Sequence, residues 1–283
     1  MAIRIITDSS SDLDLNTAKE MGVDVVSMSI QFGDTSYLDG VNLNKQAFYQ
    51  MLAESSDSPT TAQPTPNDFL APLLKAKEDG DEALVITLSS ILSGTYQSAL
   101  IAQDLCDYEP VYVVDSLSAT AGVHILVEQA CKLRDQGVSA EDIAQSLEDL
   151  KGRIRIFAVI DTLEYLRRGG RLSNLQAGLG TVTKLKPVIS VREGAVAVVG
   201  KSFGTVAATK QLLKFLSEHP IAPDFPAFAL YSDDKGRIDD FLPKLEEANI
   251  LPQDLRFSSI GPTIGTHIGP GAVGMAYVEA LQA

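Results

Sequence analysis

The sequence predicts an α/β protein of two domains, an N-terminal domain with a mostly parallel sheet covered by helices on both faces and a C-terminal domain with a mixed sheet. Three observations lead to this. Short β-branched runs alternate with amphipathic helical stretches through the first half, and a hairpin pattern enters after about residue 152. The length of 283 residues also exceeds that of one average domain.

The first half alternates strand and helix in regular order. The predicted strands are 3–7, 23–32, 83–88 and 111–114, and the predicted helices are 44–53, 66–77, 95–105, 119–136 and 140–150. Two helix starts have clear signals, since Thr65 precedes Pro66 with Asp68 in the first turn, and Ser139 precedes two acidic residues. Strands that alternate with helices pair in parallel and are covered on both faces.

The second half follows a different pattern. We predict a strand at 154–160, a short helix ending at Gly169-Gly170, a hairpin of 188–191 and 195–199, a helix at 206–217, a strand at 227–231, a helix at 237–248 and two terminal strands. The predicted domains are residues 1–153 and 154–283, with the change at 152–156. The polar stretch 54–65, rich in Ser, Thr and Pro, is predicted to be a functional loop.

The composition limits the classes of function. With 37 acidic and 23 basic residues the net charge is −14, which disfavours nucleic-acid binding. No apolar run approaches the ~20 residues that span a bilayer, so no stable membrane insertion is expected. The N-terminus lacks the apolar core of a signal peptide, and a cytoplasmic protein is expected. Cys106 and Cys131 lack zinc spacing and are expected to be buried thiols, and the three histidines are far apart, so no metal site is predicted.

Two glycine motifs resemble nucleotide sites without meeting their requirements. Gly200-Lys201-Ser202 resembles the end of a P-loop, but Ala195 stands where the motif needs its first glycine. Residues 269–274 spell GxGxxG, but only nine residues follow, too few for a dinucleotide-binding unit. This segment is predicted to be a tight turn that enters the last strand.

Three segments place polar groups where a sheet of this kind presents a ligand. Residues 89–95 bring hydroxyls and free N–H groups to a helix start, which suits an anion, although Ser93 could simply cap that helix. In 60–66 the Thr hydroxyls could face the same anion, or the two prolines could form a rigid connector. In the Gly/Pro-rich loop 260–271, His267 is either a ligand-binding or a structural residue.

These segments, with three others, resemble the DegV family along essentially the whole chain and in the same order. The matching motifs are residues 7–12 (Thr-Asp-Ser-Ser-Ser-Asp), 61–66 (Thr-Ala-Gln-Pro-Thr-Pro), 88–97 (Leu-Ser-Ser-Ile-Leu-Ser-Gly-Thr-Tyr-Gln), 114–116 (Val-Asp-Ser), 163–173 (Leu-Glu-Tyr-Leu-Arg-Arg-Gly-Gly-Arg-Leu-Ser) and 260–271. The characterised members of this family are the fatty-acid-binding subunits of bacterial fatty acid kinase.

The resemblance implies a ligand, a partner and a site. One acyl chain would be buried between the two domains, with its carboxylate presented to a separate ATP-dependent kinase subunit, so the chain itself would be no enzyme and need no cofactor. The implied ligand-binding residues are Thr61, Ala62, Ser93, Gly94 through its backbone, and His267. Ala62 departs from the usual Ser of the family, which removes one hydroxyl.

Two further expectations concern the tail and the kinase. Residues 177–180 (Ala-Gly-Leu-Gly) and the strands of the second domain could form the wall of the tail tunnel. Arg167, Arg168 and Arg171 could form a docking patch for the kinase, or they could neutralise the C-terminus of a helix.

Two other functions stay open at this point. A hydrolase could use Ser93 and His267, although the first glycine of a GxSxG elbow is missing, and a fluorophosphonate label on Ser93 would reveal it. A sensor or carrier of another small carboxylate is compatible with the same fold.

Overall fold

The computed structural model describes residues 2–55, 57–172 and 185–281. Its strands are β1 Ile3–Asp8, β2 Val23–Val26, β3 Ser29–Phe32, β4 Thr35–Leu38, β5 Thr60–Ala62, β6 Glu82–Thr87, β7 Val111–Asp115, β8 Ile154–Val159, β9 Leu185–Arg192, β10 Ala195–Phe203, β11 Ala227–Tyr231, β12 Leu255–Ser259 and β13 Val273–Val278. Its helices are α1 Leu15–Glu20, α2 Lys45–Glu54, α3 Pro66–Asp79, α4 Thr95–Cys106, α5 Ala121–Asp135, α6 Ala140–Lys151, α7 Glu164–Arg168, α8 Thr205–Glu218, α9 Gly236–Glu247 and α10 Pro262–Ile268.

The first sheet is parallel throughout, in the order β2-β1-β6-β7. Helices α3 and α4 pack on one face and α5 and α6 on the other, so the central strands are buried on both sides. Both predicted helix starts are present: the Asp68 carboxylate accepts the Thr65 N–H at 2.7 Å, and Ser139 Oγ accepts the Asp142 N–H at 3.2 Å. The predicted architecture of the N-terminal half is confirmed.

The second sheet is mixed, in the order β10-β9-β8-β13-β11-β12. Its pairs are antiparallel except β11 with β12. Glu193 and Gly194, both at positive φ, form the hairpin turn, and β10 extends through the Gly200-Lys201-Ser202 motif. The two-sheet α/β class is thus confirmed. Helix α6 ends at Lys151 and β8 begins at Ile154, so the connection between them includes the predicted boundary of 153/154. The division of the chain into two domains at this point stays a prediction.

A third, antiparallel sheet, β4-β3-β5, corrects two expectations. The predicted strand 23–32 is two strands in different sheets, because the Met28 N–H bonds Ser9 Oγ at 3.0 Å and Ser27 Oγ bonds the Asp39 carbonyl at 2.9 Å. The predicted loop 54–65 includes β5, which pairs Thr61 with Ile30 on β3. Residues 60–62 form a strand because they pair with β3, where Ile30 lies 31 residues before its partner Thr61.

The Gly/Pro-rich segment 260–271 also differs from the predicted loop, because it contains helix α10. Pro262 takes the first helical position, where its missing N–H is no loss. His267 lies in the last turn. Gly269 and Gly271 have φ of +71° and +80° and turn the chain into β13, so the turn predicted for GxGxxG is confirmed.

Helix α5 lies between the two large sheets. It packs on β1 and β6 of the first and on β8 and β13 of the second. Gly122 allows this approach, since a Cβ there would meet Ile154 and Ile156 of β8 at 3.1 Å. The largest apolar cluster therefore runs through both halves of the chain.

The described residues also answer two expectations from composition. Cys106 and Cys131 are buried free thiols. In the ranges that the structure describes, no helix has both the length and the apolar character to cross a bilayer.

Candidate functional site

A largely apolar cavity lies where the first sheet, the small third sheet and the second sheet meet. It encloses about 740 Å³ that no protein atom occupies, its opening to solvent included. Among the described residues twenty line it, and fourteen of these are aliphatic: Met28, Leu88, Leu92, Ala119, Ile156, Ala158, Leu166, Ile189, Val191, Val196, Leu230, Ile260, Ile264 and Ile268. Cavities with such apolar walls hold small apolar molecules.

Strand alternation forms the wall that the second sheet contributes. Ile156 and Ala158 are two residues apart on β8, so both side chains point to the same face of the sheet. Their register partners on β9, Val191 and Ile189, line the cavity as well. The predicted role of second-domain strands as walls agrees with this lining. Residues 177–180, the other predicted wall, lie outside the described residues.

Thr61, Ser93, Arg171 and His267 form a polar end of the cavity. Thr61 Oγ1 and His267 Nε2 share a hydrogen bond of 2.9 Å. Arg171 Nε donates to the carbonyl of Leu92 at 3.0 Å, which places the guanidinium beside the Ser93 loop. Four segments that are distant in sequence therefore converge on one polar spot.

The His267 imidazole is neutral at physiological pH. Burial lowers its pKa to about 4, and the positive charge of Arg171 acts in the same direction. A neutral imidazole offers one N–H and one acceptor, and in the described part of the chain Nδ1 has no hydrogen-bonding partner. Arg171 is thus the fixed positive charge among the described lining residues, and it suits an anionic head group.

The structure separates the predicted ligand-binding residues into two groups. Thr61, Ser93 and His267 line the cavity, whereas Ala62 is exposed on the opposite side of β5. Gly94 is the N-cap of α4, and the Gln63 amide packs on it so closely that a Cβ would lie 2.2 Å from Oε1. Gly94 therefore helps to hold β5 against α4.

Ser93 does not cap helix α4, contrary to one interpretation of its motif. The N-cap is Gly94, and the Ser93 hydroxyl shares a hydrogen bond of 2.8 Å with Thr95 Oγ1. A serine nucleophile needs a hydrogen bond to its base, but His267 Nε2 is engaged by Thr61. The geometry gives no support to a hydrolase.

The three arginines do not form one patch. Arg167 and Arg168 are exposed and both bind Glu164, with Nη2 and Nε respectively 2.7 Å from Oε1. Their hydrogen bonds lower the pKa of Glu164 to about 2. Arg171 instead faces the cavity. Docking of a partner on Arg167 and Arg168 stays a prediction, whereas Arg171 is the site residue whose place the sequence did not reveal.

Gly169 controls the position of His267, which leads to a test. A Cβ at residue 169 would lie 2.1 Å from His267 Nδ1, so Gly169→Ala must displace the ring. We expect ligand affinity to fall about tenfold, the effect of one lost hydrogen bond to a charged group. Titration calorimetry with a fatty acid, the ligand that the sequence resemblance implies, measures this. Gly152→Ala, where a Cβ meets nothing within 4 Å, is the matched control; equal affinities in the two variants would contradict the assignment.

The fold and the site define a class: an α/β protein of two large sheets with an apolar cavity at their junction and a polar cluster at one end. The family model described as "Uncharacterised protein, DegV family" matches residues 2–280. A DegV domain-containing protein of Caldanaerobacter subterraneus subsp. tengcongensis is 35% identical over 280 residues, 98% of this chain and 99% of the relative. This chain belongs to the DegV family.

Solved structures agree with this membership. A fatty-acid-binding DegV family protein from Thermus thermophilus has a TM-score of 0.88 and 33% identity, covering 98% of this chain and 100% of its own. A stearic acid-binding protein from Eubacterium ventriosum has a TM-score of 0.87 and 25% identity, covering 99% of this chain and 98% of its own. The fold is shared over nearly the whole chain in both cases.

Proposed function

We propose that this protein binds one long-chain fatty acid, with the tail in the apolar cavity and the carboxylate at Thr61, Ser93, Arg171 and His267. The observation that carries the proposal is the cavity itself, which is aliphatic along its walls and polar at one spot. Similar DegV proteins are named for fatty acid binding. Burying about sixteen carbons at ~0.8 kcal/mol per CH₂ contributes roughly 12 kcal/mol before the costs of association.

The polar end supplies orientation more than affinity. The Thr61 and Ser93 hydroxyls can donate to a carboxylate, and Arg171 balances its charge. Neutral His267 adds no charge and fixes the rotamer of Thr61 through their hydrogen bond. A site of hydroxyls with one guanidinium binds a carboxylate without activating it, which fits a carrier that performs no chemistry.

The carrier would present the acid to a separate ATP-dependent kinase subunit that forms the acyl phosphate. This step rests on the family resemblance of the sequence motifs. It is supported by the exposure of Arg167 and Arg168 on α7, four and three residues before Arg171 at the polar end. An acidic surface on the kinase would be steered to them.

The first test is mass spectrometry of an organic extract of the purified protein beside its native mass. We expect a fatty acid in a one-to-one ratio. Acyl-phosphate formation with the cognate kinase and ATP then tests the carrier role. A protein that is empty and takes up no added fatty acid would instead favour a carrier or sensor of another small carboxylate.

Thr61→Val and Ser93→Ala test the polar end separately. Each removes one hydroxyl at nearly constant volume, so we expect palmitate to bind about tenfold more weakly with the fold intact. Thr60→Val is the matched control, because Thr60 is the exposed neighbour on the same strand. If both variants retain the acid like the wild type, the carboxylate does not lie at this end.

A further inference from the structure

Two buried carboxylates from the first forty residues hold the start of helix α10. Asp12 Oδ1 accepts the Gly261 N–H at 2.8 Å. Asp39 Oδ2 accepts both the N–H of Thr263, at 3.1 Å, and its hydroxyl. Asp12 and Asp39 are only 6% and 4% exposed. The first free N–H groups of α10 are thus satisfied by side chains from the other half of the chain.

Helix α2 reinforces the same junction. Lys45 Nζ donates to the carbonyls of Ser259, at 2.7 Å, and Asp12, at 3.1 Å. The Tyr49 hydroxyl donates to the carbonyl of Ile260 at 3.0 Å. The segment from the end of β12 to the first turn of α10 is therefore fixed by four side chains of the N-terminal half.

The carboxylates lie directly behind the cavity wall. Thr263 lines the cavity while its hydroxyl bonds Asp39, and Thr120 lines it while its hydroxyl bonds Asp12 at 2.5 Å. Thr263 and His267 are four residues apart on α10, about 6 Å along its axis. A charge on Asp39 is thus separated from the ligand by one side chain and from the polar end by one helical turn.

The surroundings disfavour a charge on Asp39. Its ionisable neighbours are Asp12 and Tyr49. Asp8, Lys45 and His124 surround Asp12, and Asp233 lies beyond Tyr49. In the described ranges, Asp39 forms no ion pair of its own, because the Lys45 ammonium is bound to backbone carbonyls. Burial, together with repulsion from Asp12, raises the pKa of Asp39 to about 7, although the Thr263 hydrogen bonds oppose this.

We propose that Asp39 is a positioning residue for helix α10 whose charge is coupled to the cavity, so that entry of a fatty acid anion is accompanied by proton uptake at Asp39. The inference rests on the proposed function. A bound anion adds a further negative charge near Asp39, and this favours the neutral carboxyl. By linkage, the affinity for the anion falls as pH rises past neutrality.

Titration calorimetry with palmitate on the full chain tests this coupling. At pH 7, in two buffers that differ in ionisation enthalpy, the wild type should take up a proton on binding and Asp39→Asn should take up less. The ratio of wild-type to Asp39→Asn affinity, in which the ionisation of palmitate itself cancels, should fall about fivefold from pH 6 to pH 8. Asp34→Asn, at an exposed turn between β3 and β4, should behave like the wild type.

A second variant guards against misfolding of Asp39→Asn. Thr263→Val removes the hydroxyl that stabilises the charged form, so the pH midpoint of the affinity change should move upward. Equal pH profiles for the wild type and both variants would overturn the coupling alone. A wild type that binds no palmitate at either pH would overturn the proposed function, and this inference with it.

The ligand-free protein offers an independent readout. Because the pKa of Asp39 is raised on folding, the folded state holds its proton more tightly than the unfolded chain. The contribution of Asp39 to stability is therefore complete below about pH 4 and is lost as pH rises to about 7. Urea unfolding from pH 4 to pH 8 should show a larger loss in the wild type than in Asp39→Asn, which keeps the raised pKa values of buried Asp8 and Asp12; equal losses would contradict a raised pKa of Asp39.

Discussion

Val196→Phe is expected to weaken palmitate binding by roughly 50- to 100-fold. Val196 lies on β10, is 8% exposed and lines the cavity beside its register partner Val191 on β9. A phenyl ring would occupy the length of about three methylenes of the tail, worth about 2.5 kcal/mol of lost burial. Calorimetric titration of delipidated protein gives the affinity directly.

The same strand provides the control. Val199→Phe makes an identical change at a residue that is 37% exposed and outside the cavity lining. Its affinity should equal that of the wild type. If Val196→Phe binds palmitate normally while Val199→Phe does not, the tail lies elsewhere and the proposed cavity is wrong. A preference of Val196→Phe for shorter acids would in addition locate Val196 along the tail.

Gly274→Ala is expected to lower the free energy of unfolding by about 3 kcal/mol. Gly274 is buried on β13, between Ala158 on β8 and Leu230 on β11. A Cβ there would lie 2.2 Å from the carbonyl oxygen of Phe157 and 2.6 Å from Ala158 Cβ. Because the first of these atoms is backbone, two central strands must separate to make room.

Urea unfolding measures this loss, with Gly152→Ala as the control because its Cβ enters open space. The control should stay within about 0.5 kcal/mol of the wild type. Since Ala158 and Leu230 also line the cavity, Gly274→Ala should retain less ligand as well. An unchanged unfolding midpoint would show that β8 and β13 are less tightly packed than described.

The sequence predicts the parts of the fold that depend on local pattern. Strand β6 is one apolar run, and helix α6 combines a Ser139 cap with a clear apolar period, so both are predicted without knowledge of their partners. The short strand β5 fails this test. Only its pairing with β3 makes it a strand, and the sequence records no signal for a partner 31 residues away.

In the site as well, local motifs indicate some residues, whereas others depend on contacts that are distant in sequence. The motifs around Thr61, Ser93 and His267 indicate three of the polar lining residues, but Arg171 was grouped with its neighbours in sequence. Its direction depends on the carbonyl of Leu92, 79 residues away, which no local pattern specifies. The sequence predicts a loop in place of helix α10 because glycines favour one, although Pro262 is a helix-start signal.

Helix α5 also bears on how the protein unfolds. Because one side of α5 packs on the first sheet and another side packs on the second, the same helix stabilises both halves of the chain. Separating the halves would expose the side of α5 that packs on β8 and β13, at a cost proportional to that apolar area. The chain passes from one sheet to the other near residue 153, but the shared helix couples the unfolding of the two halves. We therefore expect them to melt in a single transition.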